Sequence, residues 1–482
     1  MTLNDIDTTR SGPGSSRPAP GGDRLTRPQP SVEWANSTAA SAPDIRMELP
    51  GPRSKELFGR LEPHQPGNFS HVIHQLPVSF AEGHGVTLTD ADGNRYLDFT
   101  HGHMTAGLGH GHPAIAEAIG RQARRMMSVR DFPSPQRAEL VERLAAITPG
   151  DLNIFQFFGS GSETAEAAMR VARAATGGHE FVSIWQDYHG RTPGAAAAGT
   201  NGSRAIGPRM PGYHSIPGAF CYRCEFGLTY PSCRMHCADF AERAVLNNSH
   251  GALAGIIVEP ITNASGARVY PDGYLRRLRE IADRNNMLLI LDEHATFGRT
   301  GSWWAADHDG VVADAVMFGK WLGNGFPVTV LAVREGLADV LPQTQSSSTF
   351  GGQPLACAVA LAVLDVLESE DLVKRAQVLG EVCLARMREI QAAHPSVGEA
   401  RGKGLLLAFD FVESKQTRIP SPRAAARFYV NALRRGVVVS AGASSNVRVN
   451  PMVVMSQETA LRGLDLLEDA ISEMERELGY DG

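Results

Sequence analysis

The sequence predicts an α/β protein, with a large domain built on a mainly parallel sheet and a smaller α+β domain. Three observations carry that prediction. Short runs of β-branched and aliphatic residues alternate with longer stretches of helical periodicity, the pattern of strand–helix–strand units. The runs are apolar throughout, as at 287–291 (Met-Leu-Leu-Ile-Leu), which suits strands covered on both faces. Several end at Gly, Asp or Lys, so residues able to do chemistry fall at strand C-termini, where open parallel sheets bind ligands.

The 482 residues, 43% hydrophobic and 20% charged, suffice for two or three domains that fold without disulfides or structural metals. With 46 Lys+Arg against 52 Asp+Glu the net charge is −6. No broad cationic face is expected, which disfavours a nucleic-acid or membrane-surface partner. No apolar run approaches the ~20 residues that span a bilayer, and the N-terminus lacks a secretory apolar stretch. The expectation is a cytoplasmic protein that handles a small molecule.

Along the chain, residues 1–53 are rich in Pro, Gly, Ser and Thr without apolar periodicity and read as a disordered tail. Residues 54–112 read as an N-terminal segment contributing to the small domain, and 113–353 as the large domain. Within the latter, 153–158 is a buried strand, followed by Gly159-Ser-Gly-Ser162 and a helix from Glu163 to about Ala175 with Ala165, Ala168, Met169 and Ala172 on its inner face. A second strand, 253–258, stops at Glu259-Pro260. A helix begins at Pro271 and runs through Leu275, Leu278 and Ile281. The strand after it ends at Asp292, and strand 315–318 leads through Gly319 to Lys320. Residues 354–482 form the rest of the small domain, with helices at 354–368, 371–393, 422–435 and 457–479 and strands near 404–412, 437–440 and 446–449.

Gly159–Glu163, between strand and helix, supplies free N–H groups and the positive end of a helix dipole, a site for a phosphate dianion. As a dinucleotide fingerprint it fails, because Thr164 stands at the third-glycine position; an ordinary tight turn is the plain alternative. Lys320 follows an apolar strand, where the ammonium form is disfavoured, and a neutral amine can attack a carbonyl. Most lysines are surface groups, but this one has company. A buried carboxylate, a phosphate loop and a lysine are what hold pyridoxal phosphate (PLP): the carboxylate keeps the pyridine nitrogen protonated, the loop grips the phosphate and the lysine carries the aldehyde.

From about Pro77 to its end the chain resembles the class III (omega) family of PLP-dependent aminotransferases, a fold-type-I group that includes dialkylglycine decarboxylases and aminomutases. The resemblance runs through 85–99, 107–113, 159–163, Tyr188-His-Gly190, Glu259-Pro260, 291–293 with 297–301, Lys320 with 325–327, 349–355 and 401–405. It implies that Lys320 forms the internal aldimine and shuttles the substrate's α-proton, and that Asp292 pairs with the ring nitrogen. By the same resemblance Gly161 and Ser162 bind the phosphate, and Thr349 reaches it from the neighbouring subunit of a homodimer with shared active sites. Tyr188 stacks on the ring, and His189 and Glu259 join the cofactor contacts. Arg448 resembles the family's carboxylate-binding arginine; its plain alternative is a surface charge on an edge strand. The reaction implied moves an amino group between an amine or amino acid and a keto acid or aldehyde. A decarboxylase, aminomutase or racemase on the same fold is the alternative.

Two features depart from the family pattern. Where the family writes Asp-Glu-Val-Gln-Thr-Gly-Phe-Gly-Arg, this chain has Asp-Glu-His-Ala-Thr-Phe-Gly-Arg at 292–299, one residue shorter. His294 replaces a small apolar residue under the ring, where stacking is the favoured reading, and Ala295 replaces the Gln that contacts the phenolic oxygen. The segment 100–106 resembles the substrate-side loop of dialkylglycine decarboxylases, with His103 at a carboxylate-contacting position. Four of the six cysteines, Cys221, Cys224, Cys233 and Cys237, cluster as C-x2-C-x8-C-x3-C. Reduced thiols packing a surface insertion are the first reading, with a zinc site on these four or disulfides as alternatives. No metal is assigned to the chemistry.

Overall fold

Seven strands make the central sheet, in chain order β1 (Ile154–Phe158), β2 (Glu180–Ile184), β3 (Tyr213–Ile216), β4 (Leu253–Val258), β5 (Leu288–Asp292), β6 (Ala315–Phe318) and β7 (Thr329–Val333). The structure is a computed structural model, and it describes residues 30–65, 71–129, 132–201, 207–344, 347–441 and 444–480. The strands lie side by side as β1-β7-β6-β5-β4-β2-β3. From β6 to β3 neighbours are parallel, whereas β7 runs antiparallel to both β6 and β1. The sequence reading placed no strand at 329–333, a short apolar run that periodicity alone does not tell from a helical segment.

Helix α1 (Gly161–Thr176) closes one face of this sheet. Ala165, Ala168, Met169 and Ala172 are all fully buried against Phe158, Ile257, Ile290, Met317 and Leu331. Three alanines on the inner stripe let the helix lie close to the strands, and each large side chain buried there contributes ~1.5–3 kcal/mol. Gly177 ends the helix in the left-handed conformation (φ 72°), which a residue without Cβ adopts without strain. The helix expected from Pro271 starts later, at Tyr274, after Gly273.

The small domain joins both ends of the chain. Strands 80–84, 87–90 and 95–98 form an antiparallel meander, and 437–438 adds in parallel beside 95–98. A second sheet holds 397–403, 406–411, 446–448 and 440–441 in that order. The strand expected near 404–412 is thus the second arm of a hairpin that turns at Gly404 (φ +56°). Its first arm, Val-Gly-Glu-Ala-Arg-Gly-Lys, has too many charged and glycine residues to read as a strand. Helix Pro354–Ser369 sits between the domains: Val359, Val363 and Leu367 pack into the small-domain core, Cys357, Ala360 and Leu364 into the large one. A helix apolar all round is a buried one.

The expected tail is corrected from residue 30 onward. Helix Ser31–Asn36 and the turn after it place Ala35, Ala39 and Ala42 in the small-domain core, and Asn36 donates to Val454 O (2.7 Å). Tertiary contact supplies the order that local composition does not. The first 29 residues of that expected tail lie outside the described residues.

Candidate active site

The start of α1 is built to meet an anion. Ser160 caps the helix, accepting from Glu163 N (3.3 Å), and Glu163 accepts in return from Gly159 N (3.0 Å). The first N–H groups of a helix, here those of Gly161 and Ser162, have no intrahelical acceptor and lie at the positive end of the dipole. Ser162 Oγ accepts from Arg191 N (3.0 Å). A Cβ at Gly190 would meet that oxygen at 2.4 Å, so the 188–190 turn can close on the helix start only as glycine. Thr164 donates to Thr329 Oγ1 (2.9 Å) and ties the helix to β7.

Asp292, at the end of β5, is 4% exposed. His189 Nδ1 donates to its Oδ2 (2.8 Å), and His294 donates to its Oδ1 from both N (3.0 Å) and Nδ1 (2.7 Å). The two imidazoles outweigh the burial penalty and hold Asp292 below the usual carboxylate range. Burial pushes His189 towards its neutral form, but Asp292, Asp187 and Glu259 pull harder and raise its pKa. The edge of the His294 ring thus holds Asp292, a contact the sequence reading did not foresee. Ala295 packs with Met104, Ile261, Ala267 and Ala305 and offers no polar side-chain contact where the family has Gln.

Lys320 follows β6 and Gly319, with a left-handed backbone (φ 45°) that costs a non-glycine residue about 1–2 kcal/mol. Burial lowers its pKa, the charges of Arg299 and Arg448 push the same way, and Asp292 and Glu259 oppose them. Asp292 pairs with Met317 across the parallel neighbours β5 and β6, so Lys320, three residues further on, leaves the sheet at the same end as Asp292. Glu259, just past β4, accepts from Tyr188 N (2.9 Å) and Asn263 N (3.0 Å). Burial, then the charges of Asp187 and Asp292, raise it to about 8. Tyr188 is 37% exposed at the mouth.

Arg448 lies on a strand flanked on both sides, by 406–411 and 440–441, so it is not an edge-strand charge. It is largely buried, burial lowers its pKa, and among the described residues it makes no ion pair. His103 sits in a turn whose four residues, His101 to Met104, all have left-handed backbones (φ 54°, 56°, 59° and 72°). Asp98, fully buried, accepts from Thr100 N (2.6 Å), Gly102 N (3.0 Å) and His110 Nε2 (2.8 Å) and pins that turn. Burial lowers the His103 pKa, followed by the charges of Arg448, Lys320 and Arg191. Thr349 is exposed on a turn next to Ser348, which donates to Glu163 Oε1 (3.1 Å) of the same chain.

Sequence reasoning missed two supporting groups. Asp187, buried just ahead of Tyr188-His-Gly190, accepts from Glu259 N (2.9 Å) and Thr262 Oγ1 (2.7 Å) and rises to about 6 through burial. Arg299, fully buried, donates to Ala295 O (2.6 Å) and Met104 O (2.5 Å) and joins the two loops that carry His294 and His103. Their signal was position, one beside and one inside a motif.

The four clustered cysteines carry free thiols and line one cavity with Met235 and His236. Burial raises Cys237 to about 11. Among the described residues no group of three or more His, Cys, Asp or Glu is disposed to hold a metal ion. The insertion serves the domain contact instead: Arg223 pairs with buried Asp410, and the Phe220 ring lies under Arg268 (4.0 Å) and Arg401 (5.1 Å).

Taken together, the residues present fit a planar, phosphorylated aldehyde. The helix start offers an anion cradle, Asp292 a fixed negative charge for a protonated ring nitrogen, and Lys320 an amine whose charged form is disfavoured. The Nε2 atoms of His189 and His294 are buried without a hydrogen-bond partner among the described residues.

The family model for class III aminotransferases matches residues 69–471. A leucine/methionine racemase from Thermococcus litoralis is 31% identical, over 84% of this chain and 92% of that protein. An acetylornithine aminotransferase from Methanosarcina mazei is 34% identical, over 82% and 92%. Among solved structures, an amine transaminase from an uncultivated Pseudomonas species in its PLP-bound, internal aldimine form superposes with a TM-score of 0.80 at 30% identity, covering 85% of this chain and 98% of that one. Among the described residues no helix is long and apolar enough to cross a membrane.

Proposed function

The chain belongs to the class III aminotransferase family and is a PLP-dependent aminotransferase; on that premise we propose that its amino donor and acceptor are an α-amino acid and a 2-oxo acid, and that Lys320, Asp292 and Tyr188 work at the cofactor. The observation that carries this reading is geometric: Asp292 and Lys320 follow from the C-terminal ends of two neighbouring parallel strands, β5 and β6, above the same end of the sheet. PLP, when bound, supplies a carbonyl that takes up the amino group and a ring that takes up electrons. The N–H groups of Gly161 and Ser162 bind the phosphate. Asp292, oriented by His189, holds the positive charge of the ring nitrogen, and Tyr188 covers the ring face. Lys320 Nζ would be the amine that holds the aldehyde of bound PLP and, when free, the base that carries a proton to and from the substrate's α-carbon.

The substrate class follows from Arg448. A largely buried guanidinium that makes no ion pair among the described residues, and whose charge acts on both Lys320 and His103, is a fork for a carboxylate. Other residues give the site its walls.

A homodimer in the cytoplasm belongs to the same reading. Met127, Phe132 and Phe350 are 57%, 73% and 74% exposed, in two segments joined by Val129 N donating to Gln353 Oε1 (2.8 Å). Such an apolar surface beside Thr349 suits a second copy, with Thr349 reaching that copy's phosphate.

Borohydride reduction of the PLP-loaded protein, followed by peptide mass spectrometry, tests the lysine: the label is expected on the Lys320 peptide, and a label elsewhere defeats the assignment. Incubation with amino acid and oxo-acid pairs is expected to exchange amino groups. Inversion of a single amino acid without any oxo acid would instead make the chain a racemase.

A further inference from the structure

The two imidazoles on Asp292 are not equivalent. His189 is enclosed by acids, since Asp187 and Glu259 act on it along with Asp292. His294 spans two different surroundings. Its Nδ1 holds Asp292 Oδ1 (2.7 Å), while its Nε2 faces Gly161 at the start of α1, where an added Cβ would lie 3.4 Å from that nitrogen. The side chain is 9% exposed, and Nε2 has no hydrogen-bond partner among the described residues.

We propose that His294 is a phosphate-binding residue of the cofactor site, with Nδ1 fixed on Asp292 and Nε2 donating to the phosphate held at Gly161. The proposal rests on the PLP reading above and adds a contact that the usual small apolar residue at this position cannot make. A carboxylate only accepts, so Nδ1 is the donor to Asp292, and Nε2 donates as well only when the ring carries a second proton. A buried polar nitrogen without a partner calls for one, and the cradle it faces is an anion site on independent grounds.

The experiment compares two probes on the cofactor-free chain by equilibrium dialysis: pyridoxal 5′-phosphate and pyridoxal, which lacks the phosphate. His294→Val is expected to weaken pyridoxal 5′-phosphate about 10-fold to 100-fold, the range of a charge-assisted hydrogen bond, and to leave pyridoxal within about 2-fold. His294→Asn is expected to do the same and serves if the valine variant does not fold. An equal change for both probes, or no change for the phosphorylated one, overturns the proposal. If the unaltered chain binds neither probe, the cofactor reading itself fails, a result distinct from failure of the histidine contact.

Discussion

His189 Nδ1 donates to Asp292 Oδ2 across 2.8 Å, fastening the loop after β2 to the C-terminal end of β5. The pair is buried, so the carboxylate keeps its charge only through such donors. Asp292→Asn leaves one acceptor oxygen for two imidazoles and turns an NH2 group towards a donor. The expected outcome is a fall in kcat/KM of at least ~10²-fold and a loss of ~1–3 kcal/mol in folding stability. Steady-state kinetics and urea unfolding measure both, and a rate equal to the parent's would show that another group holds the ring nitrogen.

Lys320→Ala removes the only group placed to hold the aldehyde among the described residues around Asp292. Activity is expected to fall by more than ~10³-fold. The thermal midpoint should move by only a few degrees, since the side chain lost is poorly solvated and its backbone is strained in any case. Calorimetry beside an activity assay separates the two effects. A variant that turns over at an appreciable fraction of the parent rate refutes the role.

Arg448 should discriminate substrates by their carboxylate. With Arg448→Ala, kcat/KM for α-amino acids is expected to drop ~10²-fold or more, and Arg448→Lys should recover little, because an ammonium cannot form the bidentate pair. Amines that lack a carboxylate should be hardly affected. A parallel loss for both substrate types would assign the arginine a structural role.

A pH test of stability is available far from the site. His394, at the end of helix 372–393, donates to Glu475 Oε2 (2.7 Å). That hydrogen bond raises the histidine pKa above 6.5, and donors from His394 and Ser396 overcome burial to lower Glu475 below 4.5. A raised histidine stabilises fully below its unfolded value and loses that contribution as pH rises through the folded one; the depressed glutamate loses its contribution as pH falls. His394→Asn is thus expected to cost ~1 kcal/mol at pH 6 and progressively less by pH 8, read from denaturant midpoints. A difference that grows with pH would reverse the sign and exclude the pairing.

Much of this architecture was legible in the residues because the signals are local. The buried strand before Asp292, the alanine stripe of α1 and the long C-terminal helices obey periodicities that short windows reveal, and the helix ends fall within one or two residues of those expected. Other features depend on distant partners. Segment 31–53 reads as unstructured because its order comes from contact with residues such as Val454. β7 is too short to declare itself, and strand 397–403 is buried by its hairpin mate despite a polar sequence. His294 shows the same limit within the site: its identity as a departure was plain, but its hydrogen bond to Asp292 required the folded loop.

By itself, the order of residues determined the class of protein and the cofactor, because PLP chemistry demands a lysine, a carboxylate and an anion cradle at strand and helix ends. Only the tertiary structure decided which charges meet. His189 meets Asp292, Asp187 meets Glu259, and the charge of Arg448 acts on Lys320, across separations of 103, 72 and 128 residues that chain order does not encode. Coulomb forces and desolvation act through space, so protonation states and substrate contacts are properties of the assembled compartment.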